Sequence, residues 1–215
     1  MLEKRVLIVF YSFTQQTKLL LKQFKAGLES EGVEVVMERL IAIRPYPFPF
    51  RSDFALFKAM VRTFFMARME TEPLSAKCYE EYDYIVLAGP TWSYHISGPV
   101  LDFFDRYGKK ICAGRSVVPF ISCRSYWRIH LRELKKRLAT CGARVESSIV
   151  FTHPTREPFR FIGLVLQLRG KMVRREGSWF RKYYPGYGHD ERQGILARQQ
   201  GVSLAKKIRT EVPPR

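Results

Sequence analysis

Acidic residues are scarce in this chain: 20 Asp and Glu stand against 37 Lys and Arg, leaving a net charge of +17 over 215 residues. Such an imbalance calls for an anionic partner, of which nucleic acid, an anionic membrane surface and a phosphorylated small molecule are the main classes. No RNP sequence, zinc-finger spacing or KH loop accompanies the charge, so nucleic acid is not the expected partner. Cysteine is sparse as well. Cys78, Cys112, Cys123 and Cys141 lie far apart with no C-x-x-C pair, which excludes a disulfide framework and leaves reduced thiols. His95, His130, His153 and His189 are equally dispersed, and no metal site is expected. No apolar run approaches the roughly 20 residues that cross a bilayer. The charged start Met-Leu-Glu-Lys-Arg lacks the apolar segment of a secretory signal, so the expected location is cytoplasmic. Walker A, G-x-S-x-G and H-E-x-x-H patterns are all absent.

What is present is a globular composition, with 46% hydrophobic and 14% aromatic residues, and one domain spanning the chain is the default expectation. Val6 to Phe10 is an unbroken apolar run of strand length, as in a central strand covered on both faces. Residues 17–30 follow as a helix with Leu20, Leu21, Phe24 and Leu28 on one face, ended by Gly32. Strands are expected at 33–40, 84–88, 116–121 and 145–151, and helices at 99–107, 128–140 and 191–208. Five strands alternating with helices mean an α/β protein with a parallel sheet and right-handed crossovers, for which the order 2-1-3-4-5 is the natural expectation. Two segments interrupt this alternation, at about 44–80 and 153–189. The first interleaves Pro45, Pro47 and Pro49 with aromatics, then starts a helix at Ser52 or Asp53 that is expected to run to about Met69.

Between the first strand and first helix the chain reads Y-S-F-T-Q-Q-T. Ser12, Thr14 and Thr17 supply three hydroxyls, more than one helix cap requires, beside helix amides that have no intrahelical partner. A helix N-terminus so furnished suits an anion. In open parallel sheets a ligand sits beyond the carboxyl ends of the strands where strand order reverses, and three loops meet there. The second contains G-P-T-W-S-Y after the third strand, and the third contains S-C-R-S-Y-W after the fourth.

These motifs resemble those of the flavodoxin-like FMN-binding family. The first is similar to its phosphate loop, commonly S/T-x-T-G-x-T, with Gln15 in the usual place of Gly. The pairing of Y-S-x-T-Q-Q-T with C-R-x-Y-W resembles one branch of that family, some members of which carry a dialkylresorcinol-related label. The resemblance implies a flavodoxin-like three-layer sandwich with helical insertions. It also implies that FMN is the cofactor, its phosphate held by Ser12, Thr14, Gln15, Gln16 and Thr17. Pro90, Thr91, Trp92, Ser93 and Tyr94 would then flank one side of the ring and Cys123, Arg124 and Tyr126 the other. NAD(P)H would be the co-substrate and a quinone-like or other hydrophobic aromatic molecule the acceptor. No side chain is assigned a catalytic role, since the flavin carries the chemistry.

Two relatives of the same general architecture are excluded. A low-molecular-weight tyrosine phosphatase needs C-x5-R, and residue 129 is Ile; a response regulator needs an acidic pocket where Tyr11 and Ser12 stand. Electron-carrier flavodoxins are acidic, which disfavours that role for a basic chain. Residues 151–215 alone hold 14 Lys and Arg against 5 Asp and Glu. With Phe54, Phe57, Phe64 and Phe65 in the first insertion and Trp and Tyr bordering the apolar runs of the second, peripheral contact with the inner face of a membrane enters as an expectation. For the helix of the first insertion the alternatives are a lid over the flavin or simple packing on the domain, for the second insertion a homodimer contact or a cover over a hydrophobic substrate, and a flavin-free docking module is the alternative function.

Overall fold

A computed structural model describes residues 4–171, 179–184 and 186–210. β1 (Arg5–Phe10) lies between β2 (Glu34–Arg39) and β3 (Tyr84–Trp92). Leu7 stands opposite Val36 on one side and Ile85 on the other, and both pairings are parallel. β5 (Ser116–Cys123) pairs parallel with β3, and β6 (Ile149–Thr152) pairs parallel with β5. The order β2-β1-β3-β5-β6 is the expected 2-1-3-4-5 once the short β4 (His95–Ile96), an antiparallel partner of β3, is set aside. Strand order reverses between β1 and β3, so their carboxyl ends frame the crevice where ligands of such sheets bind.

Alternation along the strands divides the core into two layers. Val6, Ile8 and Phe10 face α1 (Gln16–Glu29) and α8 (Glu191–Thr210), packing with Leu20, Leu21, Phe24, Leu204 and Ile208. Leu7 and Val9 face the opposite layer of α3 (Gly98–Phe103), α4 (Lys109–Cys112) and α5 (Trp127–Thr140), packing with Leu101, Phe103, Ile111, Leu134 and Leu138. A π turn at Phe104–Gly108 joins α3 to α4, so this helical stretch continues past the expected end at Tyr107.

α2 (Asp53–Phe64) begins where the sequence indicates, with the Ser52 hydroxyl accepting the Ala55 N–H at 3.1 Å. It ends one turn earlier than expected, because Met66 takes a left-handed backbone (φ 54°) that a helix does not continue through. The last strand is also shorter. Arg144 makes only an isolated bridge to Ser116, and regular pairing resumes at Ile149. In the second insertion, residues 159–168 form α6 (Phe159–Leu168) and Trp179–Tyr183 form α7. The basic stretch 172–178 lies outside the described residues. The two insertions join: the Phe50 N–H donates to the Leu168 carbonyl at 2.8 Å, and Arg169 binds both the Phe50 carbonyl and Asp53. Val165 and Leu168 pack on Phe50, Leu56 and Ala59, which fixes α6 beside α2 over the carboxyl edge of the sheet.

Candidate functional site

A cavity of about 710 Å³ opens over that edge, within the range typical of small-molecule and cofactor sites. Its polar end is the turn from β1 into α1. Gln15 adopts φ 65° and ψ −6°, the left-handed conformation that glycine most readily supplies, so the substitution of Gln for Gly keeps the turn. The Ser12 hydroxyl, 1% exposed, accepts the Lys18 N–H at 3.2 Å and retains its own proton for donation. Thr17 is buried beside it. Ser12, Thr14, Gln16 and Thr17 all line the cavity. Gln15 does not, since its side chain faces solvent and its contribution is the backbone turn.

The loop after β3 is a two-residue hairpin turn into β4. Ser93 (φ 45°) and Tyr94 (φ 76°) both take positive φ, the geometry that matches a turn to strand twist. Neither is glycine, so tertiary contacts hold the turn. The Ser93 hydroxyl lies 2.7 Å from that of Thr63 and donates to the Met60 carbonyl at 3.1 Å, tying the turn to α2. Thr91 is held from behind, with its Oγ1 2.8 Å from His130 Nδ1 on α5. His130 is buried, and desolvation, followed by the field of His95, pushes its pKa down to about 3; it is therefore neutral. Trp92 meets Tyr11 and Phe13 edge to face at 5.5 and 5.8 Å, and Tyr46 at 5.7 Å.

After β5, Tyr126 takes φ 46° just before α5 and brings its ring to 5.0 Å from that of Tyr94. Tyr94 and Tyr126, expected on opposite sides of a flat ring, thus bring their own rings together. Arg124 turns into the cavity, its guanidinium 4.8 Å from the Phe161 ring centroid and 3.6 Å from Glu157, with a buried Nη1 that lacks a hydrogen-bond partner. Cys123 is buried with its Sγ 3.6 Å from the Phe151 carbonyl. Burial pushes its thiol up to about 12, so it is not a nucleophile at neutral pH.

Of the thirteen residues expected at the site, the structure thus gathers all but Gln15 around one cavity. It adds others that the sequence reading passed over. Tyr187 donates to Thr14 Oγ1 at 3.1 Å, and the His189 N–H donates to Gln16 Oε1 at 2.8 Å, laying residues 187–189 across the phosphate-type turn. Gly188 (φ 92°) permits this approach, because a Cβ there would lie 1.9 Å from Gln16 Oε1. His189 Nε2 is 2.8 Å from Ser122 Oγ, and its Nδ1 is 2.9 Å from Gln193 Oε1. His153 receives N–H groups at both nitrogens, from Thr155 and from Gly188, each at 3.1 Å. Burial, with His189 and Arg160 nearby, lowers its pKa to about 4. A neutral imidazole has a single acceptor nitrogen, so either tautomer satisfies only one of the two amides. The run P-G-Y-G-H in the sequence before α8 was the available signal for this cover, and His130 in the apolar spacing Trp127, His130, Leu134 was the signal for the support behind Thr91. Among the described residues no group of three or more His, Cys, Asp or Glu side chains is placed to hold a metal ion.

Neither a protein-family model nor a curated protein matches the chain. Solved structures do. A flavodoxin from the domain Archaea matches with a TM-score of 0.54 at 14% identity, covering 95% of this chain and 99% of its own. A flavoprotein from Lactobacillus acidophilus, solved in complex with FMN, matches at 0.55 and 15% identity over 68% of this chain and 93% of its own. A WrbA-like flavodoxin from Agrobacterium tumefaciens matches at 0.51 and 11% identity over 98% of this chain and all of its own. At such identities the likeness is one of fold, and the class it defines is the flavodoxin-like α/β fold.

Proposed function

We propose that this protein is an FMN-linked oxidoreductase that passes hydride from NAD(P)H to a quinone-like or other hydrophobic aromatic acceptor. The observation that carries the reading is the continuity of one cavity. A turn with three hydroxyls and a glycine-like Gln15 forms one end, and the loops after β3 and β5 form the floor. α2 and α6 supply apolar walls through Phe57, Val61, Phe64, Phe161 and Leu164.

The residues fit FMN on two counts: the left-handed Gln15 preserves the turn that wraps a phosphate, and the buried Arg124 Nη1 has a hydrogen-bond capacity that no protein group fills. Ser12, Thr14 and Thr17 would donate hydroxyl protons to the phosphate, and the first amides of α1 would add the positive end of its dipole. Pro90, Thr91, Trp92 and Ser93 would flank the ring from the loop after β3 and Cys123 and Arg124 from the loop after β5, with the touching Tyr94 and Tyr126 rings beside them. Bound FMN supplies the hydride chemistry. The chain supplies orientation and exclusion of water. Thr91 is fixed by neutral His130, and Arg124 offers a planar fork of donors to an electron-rich ring edge. With Cys123 a thiol and His130 unprotonated, neither residue changes charge near neutral pH, which suits a site whose chemistry is hydride transfer.

The test uses the purified protein reconstituted with FMN under anaerobic conditions. NADH or NADPH is expected to bleach the visible flavin absorption, and a quinone to restore it. Replacing both Thr14 and Thr17 by Ala is expected to weaken FMN binding about a hundredfold or more, since hydrogen bonds to a charged group contribute about 1.5–3 kcal/mol each. FMN binding without bleaching by either nicotinamide would sink the hydride step. Failure to bind FMN would sink the whole reading and favour a flavin-free docking module, which the exposed ridge of α2 supports.

A further inference from the structure

We propose that α2 is a membrane-docking helix that lies in the plane of an anionic bilayer and seats the mouth of the cavity against it. The outward arc of this 12-residue helix is apolar: Phe54, Phe57, Phe64 and the adjoining Phe65 are 74, 63, 51 and 76% exposed. Met60 and Val61 fill the arc between them, and Leu56 and Ala59 turn inward to Phe50. An exposed ridge of this kind on a monomer marks a contact surface.

A second observation says what it contacts. Along the flank of α2 lies a separate pocket of about 490 Å³, lined by Arg44, Lys58, Arg62 and Arg68 against the single acid Glu70. Arg68 is held by Asp105 at 2.8 Å, whereas Arg44, Lys58 and Arg62 carry no ion pair among the described residues. At 3.6 residues per turn, Lys58 and Arg62 share one edge of the helix, beside the apolar arc rather than on it. Phenylalanines that enter the acyl boundary beside cations at headgroup level are the arrangement of an interfacial helix. Among the described residues no helix is long and apolar enough to cross a membrane, so the contact is made at the surface. A second copy would bring another chain of +17 against the same cations, which opposes association there. Phe57, Met60, Val61, Phe64 and Phe65 also line the rim of the larger cavity. A bilayer seated on the ridge therefore opens that cavity to lipid-soluble molecules. This last point rests on the acceptor proposed above; the docking itself does not.

Vesicle sedimentation of the full chain without added FMN tests it. The protein is expected to sediment with vesicles of phosphatidylcholine mixed with phosphatidylserine, and not with phosphatidylcholine alone. Phe54→Ser with Phe65→Ser is expected to weaken binding by about tenfold or more. Lys58→Gln with Arg62→Gln is expected to weaken it about 25-fold and flatten its salt dependence, at about fivefold per cation. All four side chains are exposed, and unchanged thermal unfolding of both variants confirms that each folds. Equal binding to neutral vesicles, unchanged binding by either folded variant, or a dimer that Phe54→Ser dissociates would overturn the proposal. So would duplex DNA binding that matches vesicle binding and tracks the same variants. Loss of vesicle binding with FMN binding intact would leave the cofactor reading standing.

Discussion

Gln15 holds a left-handed backbone that costs a side-chain-bearing residue about 1–2 kcal/mol relative to the right-handed form. Its side chain is exposed, so Gln15→Gly removes the strain without removing a packed group, offset by the greater freedom of glycine in the unfolded chain. The expected result is a gain of up to about 1 kcal/mol in urea denaturation; a loss would mean that the Gln15 side chain itself stabilises the turn. Ser93, Tyr94 and Tyr126 are likewise non-glycine residues at positive φ, and with Gln15 they fall in the three loops at the carboxyl ends of β1, β3 and β5; among the described residues Met66, after α2, is the remaining one. Strain concentrated this way is a mark of functional loops. The hydroxyls and the tryptophan of these loops were legible in the sequence. The backbone conformations were not, because tertiary ties such as Ser93 to Met60 and Thr63 hold residues where their own propensity would not.

His130 makes the fold sensitive to acid. An unfolded histidine protonates near 6.5, and burial lowers the folded value to about 3. Between those values the unfolded chain binds a proton that the native protein refuses. The stability tied to His130 is complete above the unfolded value and is lost as pH falls through this window, by about 1.4 kcal/mol per unit. His153, lowered to about 4, acts in the same direction. His130→Asn is expected to flatten the decline between about pH 6 and 4 by roughly one proton's worth in denaturation measured across pH. An unchanged slope would show that His130 is protonated in the native state.

At the scale of elements, α1 and α8 meet through glycine. A Cβ on Gly27 would lie 2.1 Å from the Arg198 carbonyl oxygen, and one on Gly201 would lie 2.1 Å from that of Phe24. Backbone cannot yield there as a flexible side chain would. Gly27→Ala is therefore expected to destabilise by about 1–3 kcal/mol or more, as overpacking does, even though alanine favours an isolated helix. A gain in thermal stability would contradict the close crossing. Neither glycine stood out in the sequence, because a small residue inside an amphipathic helix reveals its use only once a partner helix is placed. The parallel strands did stand out, since residues covered on both faces read as continuous apolar runs. α6 was legible as an apolar run able to cover a hydrophobic substrate, but its place beside α2 was not, because that depends on Arg169 reaching Asp53 across the other insertion.

The whole molecule joins a widely shared sheet to two uncommon additions. β1, β3 and β5 bring three loops together at the switch point, and the insertions, locked to each other at Phe50 and Leu168, raise apolar walls above them. Part of the excess of positive charge lies along the flank of α2, where Arg44, Lys58, Arg62 and Arg68 meet the single acid Glu70. The central claim is that the β1–α1 turn anchors a phosphorylated flavin. Calorimetric titration of the apoprotein with FMN and with riboflavin, its phosphate-free counterpart, tests it most directly. Hydrogen bonds to a charged group contribute about 1.5–3 kcal/mol each, so FMN is expected to bind at least about a hundredfold more tightly. Equal affinity for the two flavins, or none for FMN, would contradict the account.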